Sequence, residues 1–167
     1  VIKKFKGLKY RQQTIFDNKK ISIINDSKST SYSSSIELLK RFKKIYWLLG
    51  GIPKKGDKFN LSKDYYTNIK CYIFGKNYKK FSADLKNKIV FKKFTNLNNA
   101  IEAIFKDINL NDSQKKTILF SPSAASFDTF KNFEDRGAYF TGLIKKYTPN
   151  IWINYLIFFL IINGGKI

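Results

Sequence analysis

Short apolar runs typical of β-strands alternate along the chain with amphipathic stretches typical of helices. Strands are expected at 10–16, 20–25, 45–49, 69–74, 89–91 and 116–120. Helices are expected around Leu38 and at 77–85, 97–107 and 128–147. This alternation is typical of a mostly parallel sheet covered by helices. The sequence therefore predicts an α/β fold: a Rossmann-like, open, mostly parallel sheet with helices on both faces.

The two ends of this pattern carry the most specific local signals. Asp17-Asn18-Lys19 is a turn-prone triplet between the first two strands, which predicts an N-terminal hairpin. In the last helix, Asp128 is expected to cap or charge the first turn. Four apolar residues at helical spacing then predict its buried stripe: Phe130, Phe133, Phe140 and Ile144.

The length and composition fit one globular domain with an unusual tail. A chain of 167 residues with 43% hydrophobic content can bury a sizeable core. We expect a domain over 1–148 and an atypical apolar tail over 149–167. Residues 151–162 are apolar apart from Asn154, but a bilayer span needs about 20 such residues. The tail is open to three interpretations, namely an aberrant or frameshifted end, an extra packed element or a weak membrane contact; membrane contact through 151–162 is the least expected.

The residue types exclude several kinds of chemistry. The chain has no His and one Cys, Cys71, so it lacks an imidazole base, an internal disulfide and a cysteine-based zinc site. Any catalysis would use Lys, Arg, carboxylates, hydroxyls or a bound nucleotide with its metal. No residue of the chain is predicted to bind a metal or to act as a catalytic group.

The net charge of +20 raises the possibility of nucleic-acid binding. Only three of the 32 basic residues are arginine, whereas bidentate contacts to phosphate and guanine favour arginine. Lys, Asn, Ile, Phe and Tyr are also the residues that A- and T-rich codons specify. We favour genome composition as the source of the charge, and a basic module that binds nucleic acid or another anion is the alternative.

Ligands of open α/β sheets bind at the carboxyl ends of the strands, which here means the loops after Asn25, Leu49 and Phe120. The loop at 25–30 supplies a carboxylate, a lysine and hydroxyls suited to ribose, phosphate or carboxylate. Read alone, it favours a polar helix entry with a Ser or Thr cap. The loop at 50–57 begins with two glycines but is not a phosphate-binding P-loop, and alone it indicates a flexible connection.

The loop after Phe120 carries the most specific motif. Residues 121–137 fit the pattern Ser-Pro-x-x-Ala-Ser-x-Asp-x-Phe-Lys-Asn-Phe-Glu-x-Arg-Gly at every fixed position. This run resembles a signature near the end of the D-glutamate-adding branch of the Mur ligase family. Three further family motifs occur in the right order: Gly-Leu-x-x-Arg at 7–11, Asn-Asp-Ser-Lys-x-Thr at 25–30 and Leu-x-Gly-Gly at 48–51.

The resemblance implies a cytoplasmic, ATP-dependent ligase of peptidoglycan synthesis. In this family ATP phosphorylates the carboxylate of a UDP-linked substrate, and the amine of an amino acid then attacks the acyl phosphate. The carboxy-terminal domain binds that amino acid, which here would be D-glutamate. No nucleic-acid partner is implied. A related amide ligase that uses another amino acid, or adds glutamate to folate, is an alternative, although the Phe-Lys-Asn-Phe-Glu run speaks against it.

Roles carried over by motif position give seven site residues. Two resemble ATP contacts, with a guanidinium suited to phosphate and a carboxylate suited to ribose hydroxyls: Arg11 and Asp26. Five would line the D-glutamate site: Thr30, Lys54, Ser126, Phe127 and Phe133. The resemblance leaves Lys55 open as a substitute for Lys54, leaves the role of Lys28 open, and leaves Phe133 open as a purely core residue.

The chain departs from the family in what it lacks. No Gly-x-x-x-x-Gly-Lys-Ser/Thr loop occurs in the 167 residues. The ATP-binding and UDP-binding domains are therefore expected elsewhere, as partners of this domain. ATP and Mg²⁺ would belong to the complete enzyme, and this domain alone is expected to bind neither and to be inactive. A gene fragment and one half of a split enzyme are both open.

Overall fold

The computed structural model describes residues 8–148 as a six-stranded sheet with helices on both faces. The strands are β1 (Gln13–Asp17), β2 (Ile21–Asn25), β3 (Ile45–Gly50), β4 (Ile69–Phe74), β5 (Val90–Phe94) and β6 (Lys116–Phe120). The helices are α1 (Tyr32–Arg41), α2 (Tyr78–Leu85), α3 (Leu97–Asp107) and α4 (Phe133–Tyr147), with a short 3₁₀ helix at Lys63–Asn68.

The sheet has the spatial order β1-β2-β6-β3-β4-β5. Only β1 runs antiparallel, as the first arm of the hairpin with β2. The other four neighbouring pairs are parallel, with Asn25 opposite Phe120 and Gly50 opposite Phe74. The carboxyl ends of β2, β6 and β3 therefore lie side by side. These are the three strand ends at which the sequence placed its candidate loops.

Each face of the sheet has its own hydrophobic core. On one face, α1 and α2 bury Leu38, Leu39 and Phe81 against strand residues such as Trp47. On the other, α3 and α4 pack residues such as Ile101 and Phe140 against the opposite side of the same strands. Since β2 and β6 are covered on both faces, all five residues of each are buried. Burial on both faces is typical of central parallel strands, although each of these strands also contains two buried polar or charged residues.

The predicted α/β class, the hairpin, and the parallel sheet covered on both faces are confirmed. The first strand starts later than predicted, at Gln13, because Tyr10 and Gln12 have positive φ angles of 60° and 44° that are incompatible with an extended strand. The fifth strand is longer than predicted, at Val90–Phe94. The 3₁₀ helix was not predicted.

The prediction that the last helix begins at Asp128 is wrong, because α4 begins at Phe133. The backbone N–H groups of Thr129 and Phe130 both donate to the carbonyl of Ser126, at 3.2 and 3.0 Å, which closes a turn ahead of the helix. Asn132 is the cap, since its side chain accepts from the N–H of Asp135 at 2.7 Å. Phe130 lies before the helix and packs its ring on Tyr139.

The predicted tail at 149–167 lies outside the described residues, as does the motif position Gly7. Among residues 8–148, no helix is long and apolar enough to cross a bilayer.

Candidate functional site at the carboxyl edge of the sheet

Three loops meet at one edge of the sheet because the strands that precede them are neighbours. The loop after β2 (residues 26–31) is joined to the end of β6 by a hydrogen bond from the N–H of Asp26 to the carbonyl of Phe120, 2.7 Å. The loop after β6 (residues 121–132) is joined to β3 by a bond from the N–H of Gly50 to the carbonyl of Pro122, 3.2 Å. The loop after β6 thus lies between the other two loops and contacts both.

The loop after β2 carries a buried carboxylate. Asp26 is 5% exposed, and its Oδ1 accepts from the backbone N–H of Gln12 at 3.1 Å while its Oδ2 accepts from the hydroxyl of Ser121 at 2.8 Å. Burial raises the pKa of Asp26, an effect that these two hydrogen bonds and the nearby Arg11 partly offset. The carboxylate borders a cavity of about 290 Å³ lined by Arg11, Gln12, Asp26, Lys28, Ser29 and Ser34.

This cavity brings together both predicted ATP contacts, Arg11 and Asp26. Lys28, whose role the sequence left open, lines it as well. The Lys28 ammonium also lies 3.8 Å from the centroid of the Phe133 ring, a cation–π contact. Phe133 is half-buried, and its carbonyl accepts from the Ser27 hydroxyl at 2.8 Å. One predicted D-glutamate residue therefore directly contacts the wall of the cavity that holds the predicted ATP contacts.

The loop after β6 is clamped to the loop after β3 by an isolated antiparallel bridge. The N–H of Ile52 donates to the carbonyl of Ala125 at 2.8 Å, and the N–H of Ala125 donates to the carbonyl of Ile52 at 2.9 Å. Gly51 allows this close approach. Its φ is +124°, and a Cβ there would lie 2.3 Å from the Ala125 carbonyl oxygen. The bridge places Ser126, the residue after Ala125, beside the start of the lysine-bearing loop.

The loop after β3 also reaches the start of α1. Asp57 accepts from the backbone N–H of Tyr32 at 2.7 Å, and its own N–H donates to the carbonyl of Lys54 at 3.2 Å. Tyr32 is two residues beyond Thr30, and Ser31 precedes the helix as its N-cap. These contacts place the backbone of Lys54 near the segment that carries Thr30. The side chains of Thr30, Lys54 and Lys55 are all exposed.

Ser126, Phe127 and Phe133 do not share a helix start, because α4 begins later than the predicted start at Asp128. Ser126 and Phe127 lie in the turn that precedes α4, and Phe133 is the first residue of the helix. Ser126 is buried at 3% exposure, whereas Phe127 is 71% exposed. The N-terminal amides of α4, which can favour an anion, therefore lie near Phe133, whereas Ser126 and Phe127 have only the backbone amides of their own turn nearby.

Arg136, on the first turns of α4, is a site residue that the sequence reasoning did not single out. It is 1% exposed and binds two of the three loops: Nε donates to Ser27 Oγ at 3.1 Å, and one terminal nitrogen donates to the carbonyls of Ser27 and Ala124, at 2.8 and 2.9 Å. The other terminal nitrogen, Nη1, is buried with no hydrogen-bond partner among residues 8–148. It lies 3.0 Å from where a Cβ on Gly51 would be, so Arg136 lies next to the third loop as well.

The charge of Arg136 is poorly compensated. Burial lowers the pKa of its guanidinium to about 10, and the charge of Asp128 opposes this effect without outweighing it. Burial likewise raises the pKa of Asp128. A buried, uncompensated cation makes the surrounding potential positive, which favours an anionic ligand. The only sequence signal for Arg136 was its place in the Arg-Gly end of the motif at 121–137.

The described residues contain no group of three or more His, Cys, Asp or Glu side chains suited to a metal ion. Asp26 is flanked by cations and hydroxyls, and it has no second carboxylate in the cavity lining. The edge of the sheet seen here can therefore offer cations, hydroxyls and backbone amides to an anionic ligand, and one carboxylate to a ligand with hydroxyl groups.

Comparison with known proteins finds several curated relatives that share one name. No protein-family model matches the chain. A UDP-N-acetylmuramoylalanine–D-glutamate ligase of Wolbachia sp. subsp. Brugia malayi is 33% identical over 156 residues, which are 93% of this chain and 31% of that protein. The ligase of the same name from Rickettsia felis is 38% identical over 151 residues, 90% of this chain and 33% of the relative.

A third relative of that name, from Rickettsia prowazekii, is 40% identical over 147 residues, 87% of this chain and 33% of its own length. The matched part is the carboxy-terminal part of these relatives. Over most of its length the chain is homologous to this carboxy-terminal part of the three ligases. It spans about one third of the length of the curated relatives it matches.

Homology to these ligases accounts for the recurrence of the four motifs in order. The names of these relatives describe ligases and not nucleic-acid-binding proteins, so the comparison lends no support to the nucleic-acid alternative. The motif segments at 25–30, 48–51 and 121–137 are the segments that the fold brings to one edge of the sheet.

Proposed function

We propose that this chain is the carboxy-terminal domain of a UDP-N-acetylmuramoylalanine–D-glutamate ligase and that its carboxyl-edge loops bind D-glutamate and part of ATP. The observation that carries the proposal is the convergence of the loops after β2, β3 and β6, where three of the four family motifs lie, around the buried Arg136. The alignment of 87–93% of the chain with about a third of three such ligases supports it.

D-glutamate brings two carboxylates, so its site needs cations and hydrogen-bond donors. In the proposal, Lys54 and the hydroxyls of Thr30 and Ser126 bind these carboxylates. Phe127 and Phe133 contact the aliphatic part of the ligand from the rim. Buried Arg136 adds a positive potential without direct contact. Exposed lysines at Lys54 and Lys55 can both reach solvent, so the structure leaves the choice between them to experiment.

The nucleotide occupies the cavity lined by Arg11, Asp26 and Lys28 in this proposal. Arg11 suits a phosphate group, because a guanidinium binds phosphate oxygens in pairs. Asp26 keeps unused lone pairs on both oxygens, which suit ribose hydroxyls. The Lys28–Phe133 contact links this cavity to the D-glutamate residues.

In the complete enzyme, ATP and Mg²⁺ would activate the carboxylate of the UDP-linked substrate as an acyl phosphate. This chain would hold D-glutamate so that its amine faces that acyl carbon, and proximity of this kind supplies much of the rate. The residues at the carboxyl edge bind and orient, and none of them is assigned a proton-transfer role. The domains that bind UDP and the bulk of ATP would be its partners.

A chimeric enzyme tests the proposal. The carboxy-terminal third of the Rickettsia prowazekii relative is replaced by the full 167-residue chain, and phosphate release is measured with UDP-N-acetylmuramoyl-L-alanine and ATP. We expect release that requires D-glutamate and is not supported by L-glutamate or L-lysine. A chimera that folds, as judged by circular dichroism, but releases no phosphate with any of these amino acids would contradict the proposal. Use of another amino acid would favour a related amide ligase instead.

A further inference from the structure

Four buried serine hydroxyls form a continuous chain of hydrogen bonds that ends on Asp26. This serine chain consists of Ser29, Ser35, Ser121 and Ser123, each at most 2% exposed. Ser35 Oγ lies 2.6 Å from Ser29 Oγ, 2.6 Å from Ser123 Oγ and 2.7 Å from Ser121 Oγ. Ser121 Oγ then lies 2.8 Å from Asp26 Oδ2. Ser35, on α1, is the residue where all branches meet.

The ionised carboxylate fixes the direction of every bond in the chain. A carboxylate only accepts, so Ser121 must donate its single proton to Asp26. Ser121 can then only accept from Ser35, which uses the one proton of Ser35. Ser35 must in turn accept from Ser29 and Ser123, and its hydrogen-bonding capacity is then full. All hydroxyl dipoles therefore point toward Asp26, and such aligned bonds strengthen one another.

Joining the loops does not require this chain. The loop after β2 is already bound to β6 by the Asp26–Phe120 backbone bond and by Arg136, and the carbonyl of Ser121 is fixed separately by the Trp47 indole N–H at 2.7 Å. What the serines add is a donor aimed at one carboxylate oxygen. The Gln12 N–H, on the other oxygen, completes the orientation of Asp26.

We propose that Ser35 is a positioning residue for nucleotide binding: by donating to Ser121 it aligns the Ser121 hydroxyl on Asp26 and holds that carboxylate in the orientation that binds ribose hydroxyls. The proposal rests on the proposed function, because it takes ATP as the ligand of the cavity beside Asp26. Through Ser123, the same residue is joined to the loop that carries Ser126. Ser35 itself is fully buried and is not among the residues that line the cavity.

The first test needs no ligand and uses the full chain. The titration of the Asp26 carboxyl is followed by ¹³C NMR in the wild type and in Ser121→Ala, Ser35→Ala and Ser82→Ala. Ser82 is the matched control, because its Oγ is buried on α2 with no partner among the described residues. The other charged groups at Asp26, Arg11 and Lys28, are unchanged in all variants.

We expect the pKa of Asp26 to rise most in Ser121→Ala, because this change removes the hydroxyl that donates to the carboxylate. The rise should be smaller in Ser35→Ala, which keeps that hydroxyl but removes its alignment. Ser82→Ala should leave the pKa unchanged, because Ser82 is not part of the serine chain. An Asp26 titration that is the same in Ser35→Ala as in wild type would overturn the proposal. This arm is independent of the ligase assignment, so its outcome stands even if the chimeric enzyme is inactive.

The second test uses the chimeric enzyme and separates positioning from general structure. Ser35→Ala should raise the KM for ATP by about fivefold, within the range for one weakened hydrogen bond to a charged group, and leave the KM for D-glutamate within about twofold. Ser82→Ala should change neither. Equal increases in both KM values would indicate a general loss of structure and would contradict a positioning role.

Discussion

Each end of the sheet holds a charged side chain in crowded surroundings, but the groups that neighbour the two side chains differ. At the carboxyl end, Arg136 is buried against carbonyls and a hydroxyl, and one of its nitrogens has no partner in the described part of the chain. At the amino end, Asp107 accepts from Lys70 at 2.9 Å, from Lys92 at 2.7 Å and from the Tyr72 hydroxyl at 2.6 Å.

The difference lies in how far neighbouring groups stabilise the charged form of each side chain. Burial tends to raise the pKa of Asp107, but hydrogen bonds from Lys92, Tyr72 and Lys70 outweigh it and hold this pKa well below the usual range. Burial dominates for Arg136, Asp26 and Asp128, whose charged forms are all disfavoured. Groups held in disfavoured states concentrate at functional sites, because ligands complete their interactions. The amino end stabilises the fold, and the carboxyl end keeps capacity for a ligand.

The largest effect should come from Arg136→Met. The change leaves the carbonyls of Ser27 and Ala124 buried without their donors, and each orphaned buried group costs about 1–3 kcal/mol. We expect the free energy of unfolding in urea to fall by about 3 kcal/mol or more. Arg11→Met, at an exposed arginine of the same edge, is the control and should change it by about 0.5 kcal/mol or less. Similar losses of unfolding free energy in the two variants would show that Arg136 does not hold the loops together.

Gly51→Ala should have the next largest effect. A Cβ at Gly51 meets the Ala125 carbonyl oxygen at 2.3 Å, so the Ile52–Ala125 bridge must open. Gly56→Ala is a matched control: its φ is also positive, at +76°, but nothing lies within 4 Å of the added carbon. The control should lose only the backbone strain, about 1 kcal/mol, and Gly51→Ala should lose about 2 kcal/mol more. Amide hydrogen exchange at Ile52 and Ala125 should rise only in Gly51→Ala, and slow exchange there would show that the bridge tolerates the methyl group.

The smallest effect should come from Asp107→Asn at the amino end. Because the folded-state pKa of Asp107 is lowered, its contribution to stability is present above the unfolded pKa of about 4 and is lost as the pH falls toward the folded pKa. Its lysine partners are 36% and 47% exposed, so screening limits the contribution to about 1 kcal/mol. Urea unfolding at pH 7 should show this loss, and at about pH 2 the variant and wild type should approach each other. A difference in unfolding free energy between variant and wild type that grows in acid would contradict this expectation.

Much of the fold could be predicted because its signals are local. The strands at 69–74 and 116–120 and the helix at 97–107 have the predicted bounds, since their apolar periodicity is uninterrupted. The start of α4 could not be found this way. Asp128 is a typical cap residue, but it lies within the turn closed on the Ser126 carbonyl, and the helix begins only after Asn132.

The candidate site was predictable only as a set of separate loops. The motifs located the loops after Asn25, Leu49 and Phe120, but their adjacency depends on β6 lying between β2 and β3, an order that the sequence does not state. Arg136 and Ser35 were missed for the same reason. Each acts on residues about 90–110 positions away, so local periodicity carries no information about their partners.

The central claim, that the carboxyl edge binds D-glutamate, is tested most directly by comparing Lys54→Ala with Lys55→Ala in the chimeric enzyme. The two lysines are adjacent, exposed and equal in charge, so they differ only in position. Steady-state KM values are measured for D-glutamate and for ATP. The account predicts that Lys54→Ala raises the KM for D-glutamate at least tenfold, the loss of one charge-assisted contact, with the KM for ATP within about twofold and Lys55→Ala near wild type. Equal increases in both KM values for Lys54→Ala would contradict it.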